Sequence, residues 1–442
     1  MNEARTIKNA VCTFCGCVCD DIALVVAPDG KSITRAGNAC ELGRAWFLEH
    51  KIEDYPVALL DGKEVSLEQA IEAAAQILVK AKFPAVYGLS DTTCEAQKEA
   101  VAIADFLNGN IDTTTSVCHG PSGMAFQGIG ESTASLGEIK NRADFILYWG
   151  GNPVEAHPRH FERYSVKAKG KYLPGGRADR TVVVVDVRKT KSAQEADIFL
   201  QVKPGRDFEV LWALRALVRG KFVDESVAER TGISLEVLKD LVERMKNCRF
   251  GVIFFGMGLS MTRGRHFNVA ALLALATDLN NFTHFVANPV RGHGNVTGAD
   301  NVVSWQTGYP FGVNFNRGYP RFNPGEFTTV DVLARGEADA LLVVASDPAA
   351  NFPRKAIEHL HKIPVITLDP KPTRTSQIAK VAFTVAAYGI NVAGTVYRMD
   401  NVALPLRPAF KSPYPSDEEI LRRLKERILE LKGIRRQTIQ AA

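Results

Sequence analysis

The stretch RTVVVVDVR (180–188) holds four consecutive valines. β-Branched residues resist helix, and an unbroken apolar run lacks the alternation of a strand with one wet face. It reads as a strand buried on both faces. Five more short apolar runs share this character: PAVYGLS (84–90), ADFILYWG (143–150), RFGVIFFG (249–256), ADALLVVAS (338–346) and IPVITLD (363–369). Helical patterns alternate with them. SLEQAIEAAAQILVKA starts at Ser66, where Ser66 and Gln69 predict a capping box, and TCEAQKEAVAIADFLNG follows over 93–109. Strands buried on both faces and separated by helices predict an α/β fold with parallel sheets.

The 442 residues are enough for two to four domains or sub-domains. A net charge of +5 is slight for this length and gives no nucleic-acid signature. No apolar run reaches the roughly 18 residues of a membrane span, and the N-terminus lacks the apolar core of a signal peptide. The expectation is a cytoplasmic protein that binds neither membrane nor nucleic acid.

One unit occurs twice. WGGNPVEAHPR (149–159) followed by VVVVDVRKTKSAQEAD (182–197) matches VASDPAANFPR (344–354) followed by PVITLDPKPTRTSQIAK (364–380). Pro153, Pro158 and Arg159 align with Pro348, Pro353 and Arg354 at an offset of 195; Asp186, Thr190, Gln194 and Ala196 align with Asp369, Thr373, Gln377 and Ala379 at an offset of 183. A loop after a parallel strand presents backbone N–H groups to phosphate, and an Asp closing the next strand can accept from ribose hydroxyls. The doubling predicts two nucleotide-like ligands, or one with two similar ends. Neither copy is G-x-G-x-x-G, and Gly256-Met257-Gly258 is too short to stand for it, so ordinary NAD binding gains little support.

Five of eight cysteines crowd the first 40 residues, in Cys12-Thr-Phe-Cys15-Gly-Cys17-Val-Cys19 and then Cys40. Residues 1–52 show little helical periodicity and read as a small metal-stapled unit. C-x2-C-x3-C with a distant fourth Cys favours a cubane iron–sulfur cluster over a tetrahedral zinc site, because Cys40 has no close partner cysteine. Cys17 is surplus, although spacing leaves open that it replaces Cys19. Farther on, TTTSVCHGPSG (113–123) sets Cys118 beside His119 in polar, turn-rich surroundings. A thiolate there could attack a substrate or bind a metal, with His119 exchanging protons. Cys94 and Cys248 fall in helical patterns and read as structural. Residues 286–327, rich in Gly, Asn, Pro and aromatics, predict a long irregular segment that opens with Arg291-Gly-His293-Gly-Asn295. Arg291 suits either a carboxylate or phosphate clamp, or a cap on a helix. A last helix is expected from Ser416, with the Arg-rich GIRRQ beyond it a solvated face.

Taken in order, the C-x2-C-x3-C…C start, TSVCHGPS, WGGNP, PGRD (204–207) and RGHGNVTGAD resemble the molybdopterin/tungstopterin oxidoreductases that include formate dehydrogenase. CTFCGCVCDD, GNACELG and GTVYRMDNVALPLRP (394–408) resemble most the B subunits of formylmethanofuran dehydrogenases. The resemblance implies a formate dehydrogenase/DMSO reductase-like fold without a C-terminal β-barrel. Residues 1–52 would form the cluster domain, 53–135 with 300–400 one α/β domain, 136–299 a Rossmann-like domain, and 401–442 a C-terminal segment.

It also implies roles for single residues. Cys12, Cys15, Cys19 and Cys40 would hold a [4Fe–4S] cluster. Cys118 would ligate tungsten or molybdenum, with His119 and Arg291 beside it. Two molybdopterin guanine dinucleotides would bind, one per copy. The first would use Gly150, Gly151, Asn152, Pro153 and His157, then Asp186, Arg188 and Thr190. Gly205, Asp207, Gly256, Met257 and Gly258 would lie beside it. Gly292, His293 and Asn295 would come from the RGHGN loop. The second would use Ser346, Asp347, Asp369 and Thr373.

The implied reaction is reversible two-electron reduction of CO2 to formate, which passes to an amidohydrolase-type subunit for N-formylation of methanofuran in methanogenesis-type C1 metabolism. A β-barrel subunit covering the pterins and a polyferredoxin-like electron donor would be further partners. One departure stands out. Formate dehydrogenases commonly carry a Lys shortly after the fourth cluster Cys, whereas here the run is Cys40-Glu41-Leu42-Gly43-Arg44. A free-standing formate dehydrogenase, a scaffold homologue without metal, and a zinc-ribbon nucleic-acid binder are the alternatives; the retained thiols, the weak charge bias and the repeat oppose the last two.

Overall fold

A computed structural model describes residues 4–434. Three sheets carry the architecture. Arg5–Ala10, Ile22–Val26 and Ile33–Gly37 form a small antiparallel sheet beside the N-terminal cysteines. The helix Glu41–Glu49 follows, capped by Cys40 through the Gly43 N–H. This helix corrects the expectation of little helix before residue 52. Its start is set by the cap rather than by periodicity, since only Gly43 and Phe47 are buried.

The second sheet is wholly parallel. Its spatial order is Ile198–Gln201, Thr181–Asp186, Phe145–Trp149, Phe250–Phe255, His284–Pro289. In chain order this is 3-2-1-4-5, so the winding reverses between Phe145–Trp149 and Phe250–Phe255. The apolar runs behave as expected: Val182 to Val185 are fully buried.

The third sheet departs from the pure parallel expectation. Its five central strands are parallel, in the order Asn110–Thr113, Pro84–Gly88, Ala340–Val344, Val365–Asp369, Val381–Thr384. Antiparallel pairs extend both edges: Val313–Asn314 with Arg321–Phe322 on one side, Ala58–Leu60 with Lys63–Glu64 on the other. These edge strands are two or three residues long, and the apolar Ala58–Leu60 is too short for its pattern to mark a strand. The winding reverses between Pro84–Gly88 and Ala340–Val344. In open α/β sheets, ligands bind outside the carboxyl ends of the strands at such reversals.

The segment 286–327 is also corrected. It contains a 12-residue helix, Val296–Thr307. Val296, Ala299, Val302 and Val303 are buried at helical spacing. Packing of that face overrides the poor helix propensity of the Gly, Asn and Thr residues around it.

Ser66 and Gln69 form the expected capping box of Leu67–Lys80. The last helix, Asp417–Leu431, is capped by Ser416 and packs on Leu67–Lys80 and Cys94–Phe106. Gly433 and Ile434 of GIRRQ are described; its remaining residues lie outside the described range. Among the described residues no helix is long and apolar enough to cross a membrane.

Candidate active site

The two sequence copies fold alike. Asn152 and Asp347 each precede a one-turn helix with Pro in its first turn, at φ/ψ of −125/67 and −125/72. Asn152 Oδ1 accepts from Ser192 N at 3.2 Å and Ser192 Oγ at 2.8 Å. Asp347 Oδ1 accepts from Thr375 N at 2.9 Å and Thr375 Oγ1 at 2.6 Å. Thr190 and Thr373 each cap the next short helix through their side chains, so their hydroxyls serve the cap.

A cavity of about 510 Å³ opens at the winding reversal of the third sheet, a size usual for ligand pockets. Ser346, Asp347, Pro348 and Asp369 of the second copy form one wall, and Cys118, Met257 and His293 line it as well. Several wall atoms lack partners among the described residues: Ser90 Oγ, Asp417 Oδ1 and Trp46 Nε1. Buried polar atoms left this way are expensive unless a ligand or water meets them. Burial pushes Asp369 up to about 8, and nearby Asp417, Asp91 and Asp347 push in the same direction. Burial also raises Asp417 to about 7. Both carboxyls therefore hold their protons well above the usual carboxylate range.

Cys118 ends the one-turn helix Thr114–Val117. Burial pushes its thiol up, while the Arg291 guanidinium and the Gly292 N–H favour the thiolate. His119 is fully buried; its Nδ1 lies 3.1 Å from Ser122 Oγ. Burial and the Arg291 charge lower its pKa to about 3, so the imidazole is neutral at ordinary pH. Its Nε2 makes no well-formed hydrogen bond among the described residues, although the Val290 main chain lies near enough to favour the charged form slightly.

Arg291 is buried rather than waving on a loop. Its Nη1 pairs with Asp300 Oδ2 at 2.8 Å and Thr115 Oγ1 at 3.2 Å, while Nε meets no partner among the described residues. Asp300 is further fixed by Thr113 Oγ1 at 3.1 Å. Arg291 thus lies close enough to act on both Cys118 and His119, and of the three Cys118 lines the cavity.

The remaining residues of the first copy lie elsewhere. Gly150 (φ +57) meets the Gly256–Gly258 turn so closely that a Cβ there would come within 2.5 Å of Gly258 C and Leu259 N. Gly151 faces Gly256 in the same contact, with 3.6 Å from its would-be Cβ to Gly256 N. Asp186 is half-buried, and Arg188 is exposed with its N–H on Asp186 Oδ1. Gly205 (φ +73) turns the chain into the helix Asp207–Val218, and Asp207 accepts from Trp149 Nε1 at 2.9 Å. His157 is buried outside the cavity: its Nε2 meets the Arg291 carbonyl at 2.6 Å, and burial lowers it to about 4. Asn295 serves the chain itself, donating to Thr92 O at 2.6 Å and accepting from Tyr397 N at 2.7 Å. Gly292 accepts from Gly16 N at 3.3 Å, tying its loop to the cysteines.

Cys12, Cys15, Cys17, Cys19 and Cys40 surround one apolar cleft with Phe14, Ile22 and Ala39. Burial pushes Cys19 up to about 11, and the other thiols add to the rise at Cys12. Cys17 donates toward Cys15, which lowers Cys15 and raises Cys17. Among the described residues no three His, Cys, Asp or Glu converge to hold a single metal ion.

Sequence reasoning did not find Trp46, Ser90, Asp91, Tyr388 or Asp417 as cavity residues. The winding reversal offered one signal: Ser90 and Asp91 follow the buried strand Pro84–Gly88, where a ligand is expected. Tyr388 and Asp417 come from segments with no local mark.

No protein-family model matches the chain. It is 44% identical over 436 residues to the B component of the tungsten-containing formylmethanofuran dehydrogenase 2 of Methanocaldococcus jannaschii, spanning 97% of this chain and 99% of that protein. More distant relatives include formate dehydrogenases. Its fold matches a chain of the formyltransferase/hydrolase complex from Methylorubrum extorquens, with a TM-score of 0.70 at 23% identity, over 86% of this chain and 100% of that one. It also matches acetylene hydratase from Pelobacter acetylenicus, with a TM-score of 0.72 at 15% identity, over 97% of this chain and 69% of that one. By this identity over nearly the full length, the chain belongs to the family of formylmethanofuran dehydrogenase B subunits.

Proposed function

We propose that this chain is the redox subunit of a cytoplasmic, multisubunit formylmethanofuran dehydrogenase and interconverts CO2 and formate at a tungsten- or molybdenum-pterin centre. The observation that carries the reading is the placement of Cys118 on the wall of the cavity, with His119 and Arg291 at its back and the second Asp/Pro loop on the wall. The donor set suits these groups. Five thiols around an apolar cleft fit a [4Fe–4S] cluster on Cys12, Cys15, Cys19 and Cys40, in which each thiolate takes a separate iron. Unpartnered Ser90 Oγ, Asp417 Oδ1 and Trp46 Nε1 fit a ligand rich in hydrogen-bonding groups, as the guanine dinucleotide of a pterin is. Cys118 would hold the metal.

When bound, the metal–pterin supplies the two-electron redox chemistry, and the chain positions it and excludes water. Arg291 is held by Asp300, so its charge is fixed before substrate arrives and stabilises negative charge growing on the CO2 oxygens. Neutral His119, anchored through Nδ1 at Ser122, keeps Nε2 available to take or return the proton. The product formate would pass to an amidohydrolase-type partner for transfer to methanofuran, with a β-barrel subunit and a polyferredoxin-like donor completing the complex.

A second reading is a scaffold homologue without metal, favoured by the fold shared with the formyltransferase/hydrolase complex. The retained cysteines, Cys118 included, oppose it. Viologen-linked formate oxidation by the anaerobically purified complex decides: tungsten- or molybdenum-dependent turnover supports the redox reading, and its absence in a metal-replete preparation sinks it.

A further inference from the structure

Aromatic side chains link the cavity to the cysteine cleft. Trp46 and Tyr388 line the cavity, and Phe14 lines the cleft. Their rings run in series, with Phe14 and Trp46 centroids 6.4 Å apart and Trp46 and Tyr388 centroids 6.1 Å apart. Tyr388 is buried, and its hydroxyl donates to the main-chain oxygen of Thr13 at 2.6 Å, with Asp91 Oδ1 at 3.2 Å. Thr13 lies between Cys12 and Cys15.

The other Asp91 oxygen faces His293 Nδ1 at 3.3 Å, and the His293 backbone pairs with Cys15. Contacts thus run from the cysteine loop through Tyr388, Asp91 and His293 back to the cysteine loop. Backbone packs tightly here: a Cβ on Gly294 would come within 1.9 Å of Thr13 O and 2.3 Å of the Tyr388 hydroxyl. The lysine on the cavity wall, Lys371, spends its ammonium on Glu49 O at 2.6 Å.

We propose that Tyr388, braced by Asp91 and flanked by Trp46, is the bridging residue through which electrons cross between a cluster in the cleft and a pterin in the cavity. The inference rests on the redox reading above. Each crossing moves one electron from one centre to the other. Tyr388 and Trp46 form no bond and keep their oxidation state, and the phenolic proton stays on Oη. A low-potential one-electron protein donor refills the cleft side.

The test compares the anaerobic complex carrying the native chain, Tyr388→Leu or Tyr388→Phe. Rapid-freeze EPR follows cluster reduction after mixing with formate, dithionite gives the total reducible cluster, and metal analysis counts Fe, W and Mo. Tyr388→Leu is expected to keep its metals and its dithionite-reducible cluster, yet formate should reduce the cluster about tenfold more slowly, the factor given by about 1.4 kcal/mol of barrier. Tyr388→Phe keeps the ring and loses the bond to Thr13, so it should be slowed less while its cluster potential shifts. A metal-replete Tyr388→Leu complex reduced at the native rate overturns the proposal. If that variant loses iron, Tyr388→Phe decides, and native potential and rate there overturn it. A native complex without tungsten, molybdenum or a cluster signal fails differently: it removes the redox reading and this inference together.

Discussion

The two copies of the strand–loop–helix unit share a backbone and differ in what faces them. Across the winding reversal, the first copy meets the Gly256–Gly258 turn, which lies on Gly150 with no room for a Cβ. Across from the second copy, Leu89 N donates to Val344 O at 2.9 Å, and Ser90 and Asp91 line the cavity together with Ser346 and Asp347. The second copy's equivalent of Gly150 is Ala345, which adopts the same left-handed backbone at φ +48. Both reversals are close-packed at their strand ends, since a Cβ on Gly88 would come within 2.1 Å of Val344 O; beyond that point the second opens into the cavity that reaches Cys118, where the first stays in contact with the Gly256–Gly258 turn. The carboxylates follow suit: Asp186 is half-buried, whereas Asp369 sits among three other acids with its pKa near 8. A repeated scaffold can thus carry unequal sites, and the inequality comes from the strand across the reversal, outside the repeat.

The largest effect expected at the open copy is at Cys118. Cys118→Ala should abolish metal-dependent turnover while leaving the iron–sulfur signal, with activity assay and EPR as readouts; native rates would exclude Cys118 as a ligand. Next comes Arg291. Removing it strands a buried Asp300 carboxylate, so Arg291→Ala should destabilise the chain by about 3–5 kcal/mol as well as impair turnover. Denaturant unfolding measures the loss.

The third pair of variants tests the packing difference itself. Gly150→Ala should cost about 2–3 kcal/mol from left-handed strain and backbone overlap, while Ala345→Gly should stay within about 1 kcal/mol of native, on unfolding curves of both. Equal costs would dissolve the contrast.

A pH dependence is expected as well. Asp369 keeps a proton in the folded chain that it has lost in the unfolded one. Stability should therefore fall as pH rises from about 4 toward about 8, by up to about 1.4 kcal/mol per pH unit. Asp369→Asn should flatten the thermal-stability profile between pH 6 and 8, and Asp186→Asn should flatten it less.

Much of the scaffold was legible because burial on both faces leaves an unbroken apolar run. Val182–Val185 and Val365–Leu368 announce their strands, and Asp186 and Asp369 mark where they end. The paired loops were legible for the same reason: Asn152 and Asp347 do the same hydrogen-bonding work, so their neighbours are held alike. What stayed hidden depends on tertiary contact. The helix Val296–Thr307 is decided by its buried face against poor local propensity. The edge strands Val313–Asn314 and Arg321–Phe322 are too short to show a period. Tyr388 reaches Thr13 across 375 positions of chain, a contact no local pattern can announce.

The most direct test of the account is elemental analysis of the anaerobically purified native complex, with Fe, Zn, Mo and W counted per copy of this chain. The account predicts about one tungsten or molybdenum per chain together with iron well beyond trace. Zinc tied to this chain with neither tungsten nor molybdenum would contradict it, and would make the N-terminal cysteines a structural staple.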